Sequence, residues 1–165
     1  MITLRPLVEA DLEALAGFLV APHVARWWHE DPTAVAATYG PALRGEEPIV
    51  LLMAEVDDRP VGFAQWYRWD DNPAEREAYG IPAGTVGLDY LIGAAFDCER
   101  GLGTELIAAL LAAVPPLPVW VTPEAANEPS RRVLEKNGFV LMAEKQCHLP
   151  EEPWAGPTAL YALLR

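Results

Sequence analysis

The chain has 165 residues, of which 24 are Asp or Glu and 12 are Lys or Arg, so its formal net charge is −12, while 52% of the residues are hydrophobic. A chain of this length is expected to form one soluble domain with a sizeable core. The acidic balance argues against a nucleic-acid partner, because phosphates are bound by basic surfaces, and it favours a cationic partner.

Cysteine usage and hydropathy predict a cytoplasmic protein. Cys98 and Cys147 are too few for a disulfide framework, which indicates a reducing compartment. The first residues have neither a basic nor an apolar signal region, and the uncharged run 106–121 is short and broken by prolines. The three histidines form neither a metal-ligand spacing nor a Ser-His-Asp arrangement, so we expect no metal.

The first half of the chain predicts a strand, two helices and a hairpin. Asp31 and Pro32 have the pattern of an N-cap followed by proline at the first helical position. Two apolar runs joined by a polar turn are typical of a β-hairpin. The predicted ranges are a strand at 2–5, helices around 12–19 and from 31 to about 40, and strands at 49–56 and 61–69.

The second half alternates strands and helices. Residues 70–84 are rich in Asp, Glu, Pro and Gly and have no period, which predicts a long binding loop. Asn127 and Gly138 have the character of a helix N-cap and a helix stop. The predicted strands are 85–92, 119–121, 139–147 and 158–164, and the predicted helices are 104–114 and 127–138. Hairpins followed by alternation predict a mixed α+β sheet.

A glycine turn separates the strand at 85–92 from the next helix. Because Gly101 and Gly103 have no Cβ, the backbone there can approach a pyrophosphate at the helix N-terminus without a basic surface. An ordinary turn before a helix is an equal alternative from this segment alone. Up to residue 99 the chain has 17 acidic and 6 basic residues, whereas residues 100–136 have four of each. This asymmetry suits a protein that holds an anion in one region and a cation in another.

Asp89 is the only ionisable carboxylate within the apolar segment 85–92. Strand alternation places it on the same face as Gly87 and Leu91. A carboxylate there is either paired or faces a cavity, because a dry and unpaired charge is costly. We predict a functional Asp89, with a structurally satisfied carboxylate as the alternative.

The glycine turn and a later stretch resemble the two signatures of the GNAT acetyltransferase superfamily. The turn matches Gln/Arg-x-x-Gly-x-Gly/Ala except for Cys98 at the first position, and residues 127–139 match an Asn followed by a helix that ends in Glu-Lys-x-Gly-Phe. The resemblance implies a central mixed, mostly antiparallel sheet flanked by helices, with acetyl-CoA as the co-substrate. The cofactor-binding residues that it implies are Arg100, Gly101, Leu102, Gly103, Thr104 and Asn127.

The second signature leaves alternatives open. Many members of the superfamily have a tyrosine that protonates the leaving thiolate where this chain has Leu134, but a thiol with a pKa of about 8.5 also leaves as its anion. Asn127 fits a helix N-cap at least as well as a pantetheine contact. Arg131 and Arg132 either reach the cofactor phosphates or pair with glutamates of the same helix.

Over most of its length the chain resembles aminoglycoside 6′-N-acetyltransferases. The matching segments are 23–28, 63–67, the acidic stretch from 70, 87–89 and 101–104. The resemblance implies that Asp89 is catalytic and that the substrate-binding residues are Trp28, Gln65, Tyr67, Asp70, Asp71, Asp89 and Glu152. A further family aspartate falls on Thr122, for which Glu124 is a candidate substitute. An indole offers a flat wall for a sugar face, and several carboxylates suit several ammonium groups.

The predicted function is acetyl transfer from acetyl-CoA to a primary amine of a polycationic aminoglycoside. We predict a single domain over residues 1–165 that is a monomer or a homodimer. One alternative is a GNAT enzyme that acts on another amine, such as an N-hydroxylysine, a polyamine or a protein N-terminus. The other is a non-catalytic module that binds CoA or a cation, which Cys98 and Leu134 at two signature positions would allow.

Overall fold

Seven strands and six α-helices occur in the part of the chain that the computed structural model describes, namely residues 1–95, 98, 100–146 and 156–165. The strands are β1 (Thr3–Pro6), β2 (Ile49–Val56), β3 (Arg59–Arg68), β4 (Val86–Ile92), β5 (Val119–Val121), β6 (Val140–Lys145) and β7 (Thr158–Leu163). The helices are α1 (Leu12–Leu19), α2 (Pro22–Ala25), α3 (Val35–Leu43), α4 (Pro73–Tyr79), α5 (Leu102–Ala113) and α6 (Glu128–Lys136). Short 3-10 turns lie at Glu9–Asp11, Pro32–Ala34 and Trp69–Asp71.

The strands form one sheet in the order β1-β2-β3-β4-β5-β7-β6. β1 is antiparallel to β2, and β7 is antiparallel to both β5 and β6. β4 and β5 are parallel, with Val86 opposite Val119 and Gly87 opposite Trp120. The predicted α+β class, a mixed and mostly antiparallel sheet flanked by helices, is confirmed.

The segment 70–84 differs from its prediction as a loop, because it contains α4. Pro73 lies in the first turn of this helix, and Gly80 ends it in the left-handed conformation with φ 71°. Both residues are typical helix boundary signals. The helix buries only Tyr79, so the segment has no apolar period by which a helix could be recognised.

The chain falls into two compact units, of which the first comprises Met1–Trp66 and Asp89–Ala113. Its core includes Leu15 and Leu19 of α1, Tyr39 of α3 and Phe63 of β3. The rings of Tyr39 and Phe63 meet edge to face with 5.2 Å between centroids. This packing fixes α3 against the sheet residues of the same unit.

The second unit comprises Tyr67–Leu88 and Val114–Arg165. Its core contains Trp69, Tyr79, Trp120 and Leu160. Trp69 is fully buried, and its Nε1 donates a hydrogen bond of 3.1 Å to the carbonyl oxygen of Trp120. Both tryptophans are therefore packing residues of this core. A single domain over residues 1–165 stays a prediction.

Within the described residues, every helix is either too short or too polar to cross a membrane.

Candidate functional site

Asp89 lies within β4 and contacts Gln65 of β3. Gln65 Nε2 donates a hydrogen bond of 2.8 Å to Asp89 Oδ2. Both side chains are partly buried. Burial raises the pKa of Asp89 to about 6, while the hydrogen bond from Gln65 acts in the opposite direction. A carboxylate with a pKa close to physiological pH is suited to accept a proton from an amine and release it again.

A second carboxylate, that of Glu30, lies within electrostatic range of Asp89. Its negative charge adds to the rise in the pKa of Asp89. The Tyr39 hydroxyl donates a hydrogen bond of 2.5 Å to Glu30 Oε2. Burial and then the charge of Glu30 raise the pKa of Tyr39, so its hydroxyl stays protonated. Sequence reasoning missed Glu30 and Tyr39, because no local signal links two residues on either side of a 3-10 turn.

Trp28 forms an apolar wall in the same unit. Its ring meets Phe63 edge to face with 5.8 Å between centroids. Phe63 also contacts Tyr39, and both rings belong to the core of the first unit, against which Trp28 packs. Trp28 is partly buried, and the packing restricts its ring to one orientation.

The glycine turn also belongs to the first unit. Gly101 has φ 85° and is exposed, and a Cβ there would meet no atom of the described residues within 4 Å. α5 begins at Leu102, two residues earlier than predicted, and a hydrogen bond of 3.1 Å runs from Glu105 N to Gly101 O. The N–H groups of Leu102 and Gly103 lie in the first turn of the helix, which is the arrangement of an anion-binding helix start.

Tyr67, predicted to bind substrate, lies in the second unit and packs over Gly87. A Cβ at Gly87 would lie 2.9 Å from the Tyr67 hydroxyl oxygen and closer still to its ring. The Tyr67 ring also meets Trp69 edge to face at 5.4 Å. The absence of a side chain at Gly87 is thus what leaves room for Tyr67.

The two aspartates predicted on the acidic stretch differ in their surroundings. Asp70 Oδ2 accepts a hydrogen bond of 2.9 Å from Gly84 N, and Asp70 Oδ1 lies 3.7 Å from Arg76 Nε. Asp70 therefore stabilises the segment around α4. Asp71 is exposed at the end of the 3-10 turn that precedes α4.

Asn127 caps α6, since its Oδ1 accepts a hydrogen bond of 3.2 Å from Ser130 N. Arg132 pairs with Glu128 at 2.7 Å along the helix. Arg131 instead donates a hydrogen bond of 3.0 Å to the Tyr161 hydroxyl oxygen and one of 2.8 Å to the Ala125 carbonyl oxygen. Asn127 is thus the N-cap of α6, and its contact with the pantetheine arm of the co-substrate stays a prediction.

Leu134, at the signature position of the thiolate acid, is fully buried. Its side chain belongs to the packed face of α6 and has no proton to donate. A leaving thiolate would therefore depart from this protein without help from that position.

Glu152, which is predicted to bind substrate, lies outside the described part of the chain. Glu124 is partly buried and forms a β-bridge with Thr158. In the residues that are described, no three His, Cys, Asp or Glu side chains come together as a metal site.

The glycine turn and the α6 signature agree with a comparison of the chain with known families. The family described as acetyltransferase (GNAT) domain matches residues 7–147. The chain belongs to the GNAT acetyltransferase family. The predicted family is thereby confirmed, and acetyl-CoA is the acetyl donor that this family uses.

Known relatives of this GNAT chain include aminoglycoside acetyltransferases. It is 28% identical over 157 residues to the aminoglycoside N(6′)-acetyltransferase type 1 of Klebsiella pneumoniae, covering 84% of this chain and 73% of the relative. A crystal structure of aminoglycoside acetyltransferase AAC(6′)-Ib with coenzyme A and kanamycin matches with a TM-score of 0.80 and 26% identity, over 100% of this chain and 95% of the other. A structure of the same enzyme with paromomycin and acetyl-CoA has a TM-score of 0.79 and 26% identity, over 99% and 93%.

Proposed function

We propose that this GNAT enzyme transfers the acetyl group of acetyl-CoA to a primary amine of a polycationic aminoglycoside, at the 6′ position. The observation that carries the proposal is Asp89, a partly buried carboxylate within an apolar strand whose pKa is raised to about 6. The relatives that act on or bind aminoglycosides support the choice of amine. A cytoplasmic location and a monomeric or dimeric state stay predictions.

Asp89 has two tasks in the proposed reaction. Ionised at neutral pH, it attracts the ammonium form of the substrate by a charge-assisted hydrogen bond. It then takes one proton from the ammonium, directly or through water, which frees the nitrogen lone pair to attack the thioester. As the N–C bond forms and the C–S bond breaks, the nitrogen loses a second proton to solvent or to the departing CoA thiolate. Its raised pKa makes it about a hundredfold better proton acceptor than an ordinary aspartate. Gln65 holds Oδ2 by its 2.8 Å hydrogen bond, which leaves Oδ1 for the amine.

The start of α5 is the proposed site for the pyrophosphate of acetyl-CoA. Among the described residues no atom lies within 4 Å of a Cβ position at Gly101, and this space together with the N–H groups of Leu102 and Gly103 in the first turn of α5 fits an anion. The bound co-substrate supplies the acetyl group as a thioester. Arg100 and Asn127 stay proposed contacts for the phosphates and the pantetheine arm.

The overall charge supports a polycationic substrate. Most of the net charge of −12 arises before residue 100, so an aminoglycoside is attracted to the protein at long range. Such steering weakens as ionic strength rises, because the Debye length falls to about 10 Å at 0.1 M salt. The KM for the aminoglycoside is therefore expected to rise with salt.

A thiol-release assay with acetyl-CoA tests the proposal. We expect release of CoA with neomycin and no release with paromomycin, which differs from neomycin in having a hydroxyl in place of the 6′-amine. Release with peptides or polyamines but not with neomycin would overturn the proposed substrate. Release with paromomycin as fast as with neomycin would overturn the 6′ assignment.

The role of Asp89 is tested in the same assay with Asp89→Asn. We expect at least a hundredfold loss of turnover, while the affinity for acetyl-CoA measured by calorimetry is unchanged. Asp58→Asn, the same chemical change on the exposed turn between β2 and β3, is the matched control. Near-normal activity of Asp89→Asn would remove this residue from the mechanism.

A further inference from the structure

His23 connects helix α2 to the strand that carries Asp89. Its Nε2 lies 2.9 Å from the carbonyl oxygen of Ile92, the last residue of β4. A carbonyl oxygen only accepts, so Nε2 carries the proton and donates this hydrogen bond. Asp89 lies three residues earlier in the same strand. The hydrogen bond therefore holds α2 against the strand of the proposed base.

The carbonyl group of Ile92 points away from β3. The next residue, Gly93, donates its N–H to the Val61 carbonyl oxygen of β3 at 2.8 Å. Consecutive residues of a strand direct their backbone groups to opposite edges, so Ile92 faces the other edge of β4. A partly buried carbonyl group without a donor is unfavourable, and His23 supplies that donor.

Trp28 lies at the other end of the same segment. Its N–H donates a hydrogen bond of 2.8 Å to the Val24 carbonyl oxygen, and the N–H of Trp27 donates one of 2.9 Å to the same oxygen. Val24 is buried in the first core. The segment 22–28 is thus a compact hydrogen-bonded turn, and a shift of α2 also shifts the Trp28 ring.

Phe63 and Gln65 bring Trp28 and Asp89 to one face of the sheet. The two β3 residues are two positions apart, so their side chains lie on the same face. Trp28 meets the ring of Phe63 at 5.8 Å between centroids, and Asp89 accepts the 2.8 Å hydrogen bond from Gln65. The indole and the carboxylate therefore contact neighbouring side chains of one strand.

We infer that His23 is a positioning residue, whose hydrogen bond to Ile92 fixes the Trp28 indole relative to the Asp89 carboxylate. The inference rests on the proposed function and extends it to a residue to which the resemblance assigns no role. The indole is the wall for the sugar ring, and Asp89 binds the amine on that ring. Correct spacing of the two groups aligns the amine for attack, which contributes to the rate.

The variant His23→Leu removes the donor. We expect kcat/KM for kanamycin to fall about tenfold, because the amine is misaligned. The KM for acetyl-CoA and the acid limb of the pH profile should be unchanged, since Gln65 and burial still act on Asp89. His23→Gln, whose amide nitrogen reaches the position of Nε2, should restore most of the loss. Wild-type kcat/KM in His23→Leu, or no recovery in His23→Gln, would overturn the inference.

A second pair of variants keeps the test valid if His23→Leu does not fold. His23→Asn is polar like His23→Gln, but its amide nitrogen coincides with Nδ1 and is too short to reach Ile92. We expect His23→Asn to have the lower kcat/KM for kanamycin. Equal values for the two amide variants would overturn the inference.

A double-mutant cycle tests whether His23 acts through Trp28. In the Trp28→Ala background, the loss of the His23 donor should have no further effect on kcat/KM, because the indole that it positions is absent. The same tenfold loss in both backgrounds would show that His23 does not act through Trp28.

Asn137→Leu is the matched control for stability. It also removes a partly buried side-chain donor, since Asn137 Nδ2 donates a hydrogen bond of 2.9 Å to the Val133 carbonyl oxygen in the second unit. We expect a loss of thermal stability similar to that of His23→Leu and an unchanged kcat/KM for kanamycin. An equal fall in kcat/KM would assign the effect of His23→Leu to stability and overturn the inference.

Failure of the inference and failure of the proposed function are distinguishable. If the wild type acetylates kanamycin and the His23 variants match it, only the role of His23 fails. If the wild type releases no CoA with any amine, the proposed function fails, and calorimetric binding of kanamycin decides the role of His23. Weaker binding to His23→Leu than to the wild type and to His23→Gln then supports the positioning role, and equal binding overturns it.

Discussion

Gln65 Nε2 and Asp89 Oδ2 are joined by a hydrogen bond of 2.8 Å that acts against the effect of burial on the carboxylate. Burial raises the pKa of Asp89 to about 6, and the donor from Gln65 stabilises the ionised form. The hydrogen bond from Gln65 therefore limits how basic burial makes Asp89. The basicity in turn sets the pH range in which the proposed base is ionised.

The first prediction concerns the pH dependence of activity. For the wild type, kcat/KM is expected to rise with pH through an acid limb near the Asp89 pKa of about 6. Gln65→Leu removes the stabilising donor, so the limb should move to higher pH, as measured by thiol release between pH 5 and 9. Gln146→Leu, the same change at an exposed glutamine, should leave the limb in place. A limb that does not move in Gln65→Leu would show that the contact does not tune the base.

Much of the fold follows from local sequence. The hairpin of β2 and β3, the short strand β5 and the helix that Asn127 caps lie close to their predicted ranges. Their signals, an apolar run, a polar turn and an N-cap, are all contained in a few neighbouring residues. The sequence does not predict α4, because this helix buries a single side chain, Tyr79, and the proline and glycine at its ends are also typical of loops.

The candidate site likewise contains some residues that the sequence predicts and others that it does not. Asp89 stands out as a carboxylate in an apolar strand, and the glycine turn stands out by composition. The partnership of Glu30 with Tyr39 cannot be predicted in this manner, because it depends on how the segment after α2 packs against α3. The room for Tyr67 above Gly87 is also a product of packing between strands. Pairing of strands and segments is a tertiary property that residue types do not specify alone.

The second prediction concerns stability. The pKa of Asp89 is raised from 3.8 to about 6, so its ionised form is less favourable in the folded than in the unfolded chain. The stability associated with this group is therefore present below pH 4 and is lost as pH rises through 6. Asp89→Asn removes that loss and should increase the free energy of unfolding at pH 8 by up to about 3 kcal/mol, with little change at pH 4. Urea unfolding at the two pH values measures this difference.

The control for stability is Asp58→Asn, which changes an exposed carboxylate. The effect of Asp58→Asn on the free energy of unfolding should not change between pH 4 and pH 8 in the way expected for Asp89→Asn. A variant Asp89→Asn that is less stable than the wild type at pH 8 would mean that the carboxylate is paired and structural.

The third prediction concerns the glycine turn. Gly101→Ala places a Cβ where no described atom lies within 4 Å but requires φ 85°, which costs about 1 kcal/mol for an L residue. The turn is expected to relax away from this conformation, so the KM for acetyl-CoA should rise several-fold. Gly45→Ala is the matched control, because Gly45 also has a positive φ of 73° and open space around its Cβ position among the described residues. Gly45→Ala should lose similar stability in thermal unfolding, but its KM for acetyl-CoA should be unchanged. If both variants raised this KM equally, the glycine turn would have no role in co-substrate binding.

The fourth prediction concerns the fit of Tyr67 over Gly87. Gly87 is fixed by its pairing with Trp120, and a Cβ would lie 2.9 Å from the Tyr67 hydroxyl oxygen. Gly87→Ala must therefore displace the Tyr67 ring, which should cost about 1–3 kcal/mol of stability and raise the KM for the aminoglycoside while the KM for acetyl-CoA is unchanged. Gly17→Ala in α1, where a Cβ meets no described atom within 4 Å, should leave both KM values unchanged and should stabilise the helix by about 0.5–1 kcal/mol rather than destabilise the protein. In the double variant Gly87→Ala/Tyr67→Ser the clash is absent, so the two stability losses should be less than additive. Additive losses would mean that Gly87 is required for a reason other than the room it leaves for Tyr67.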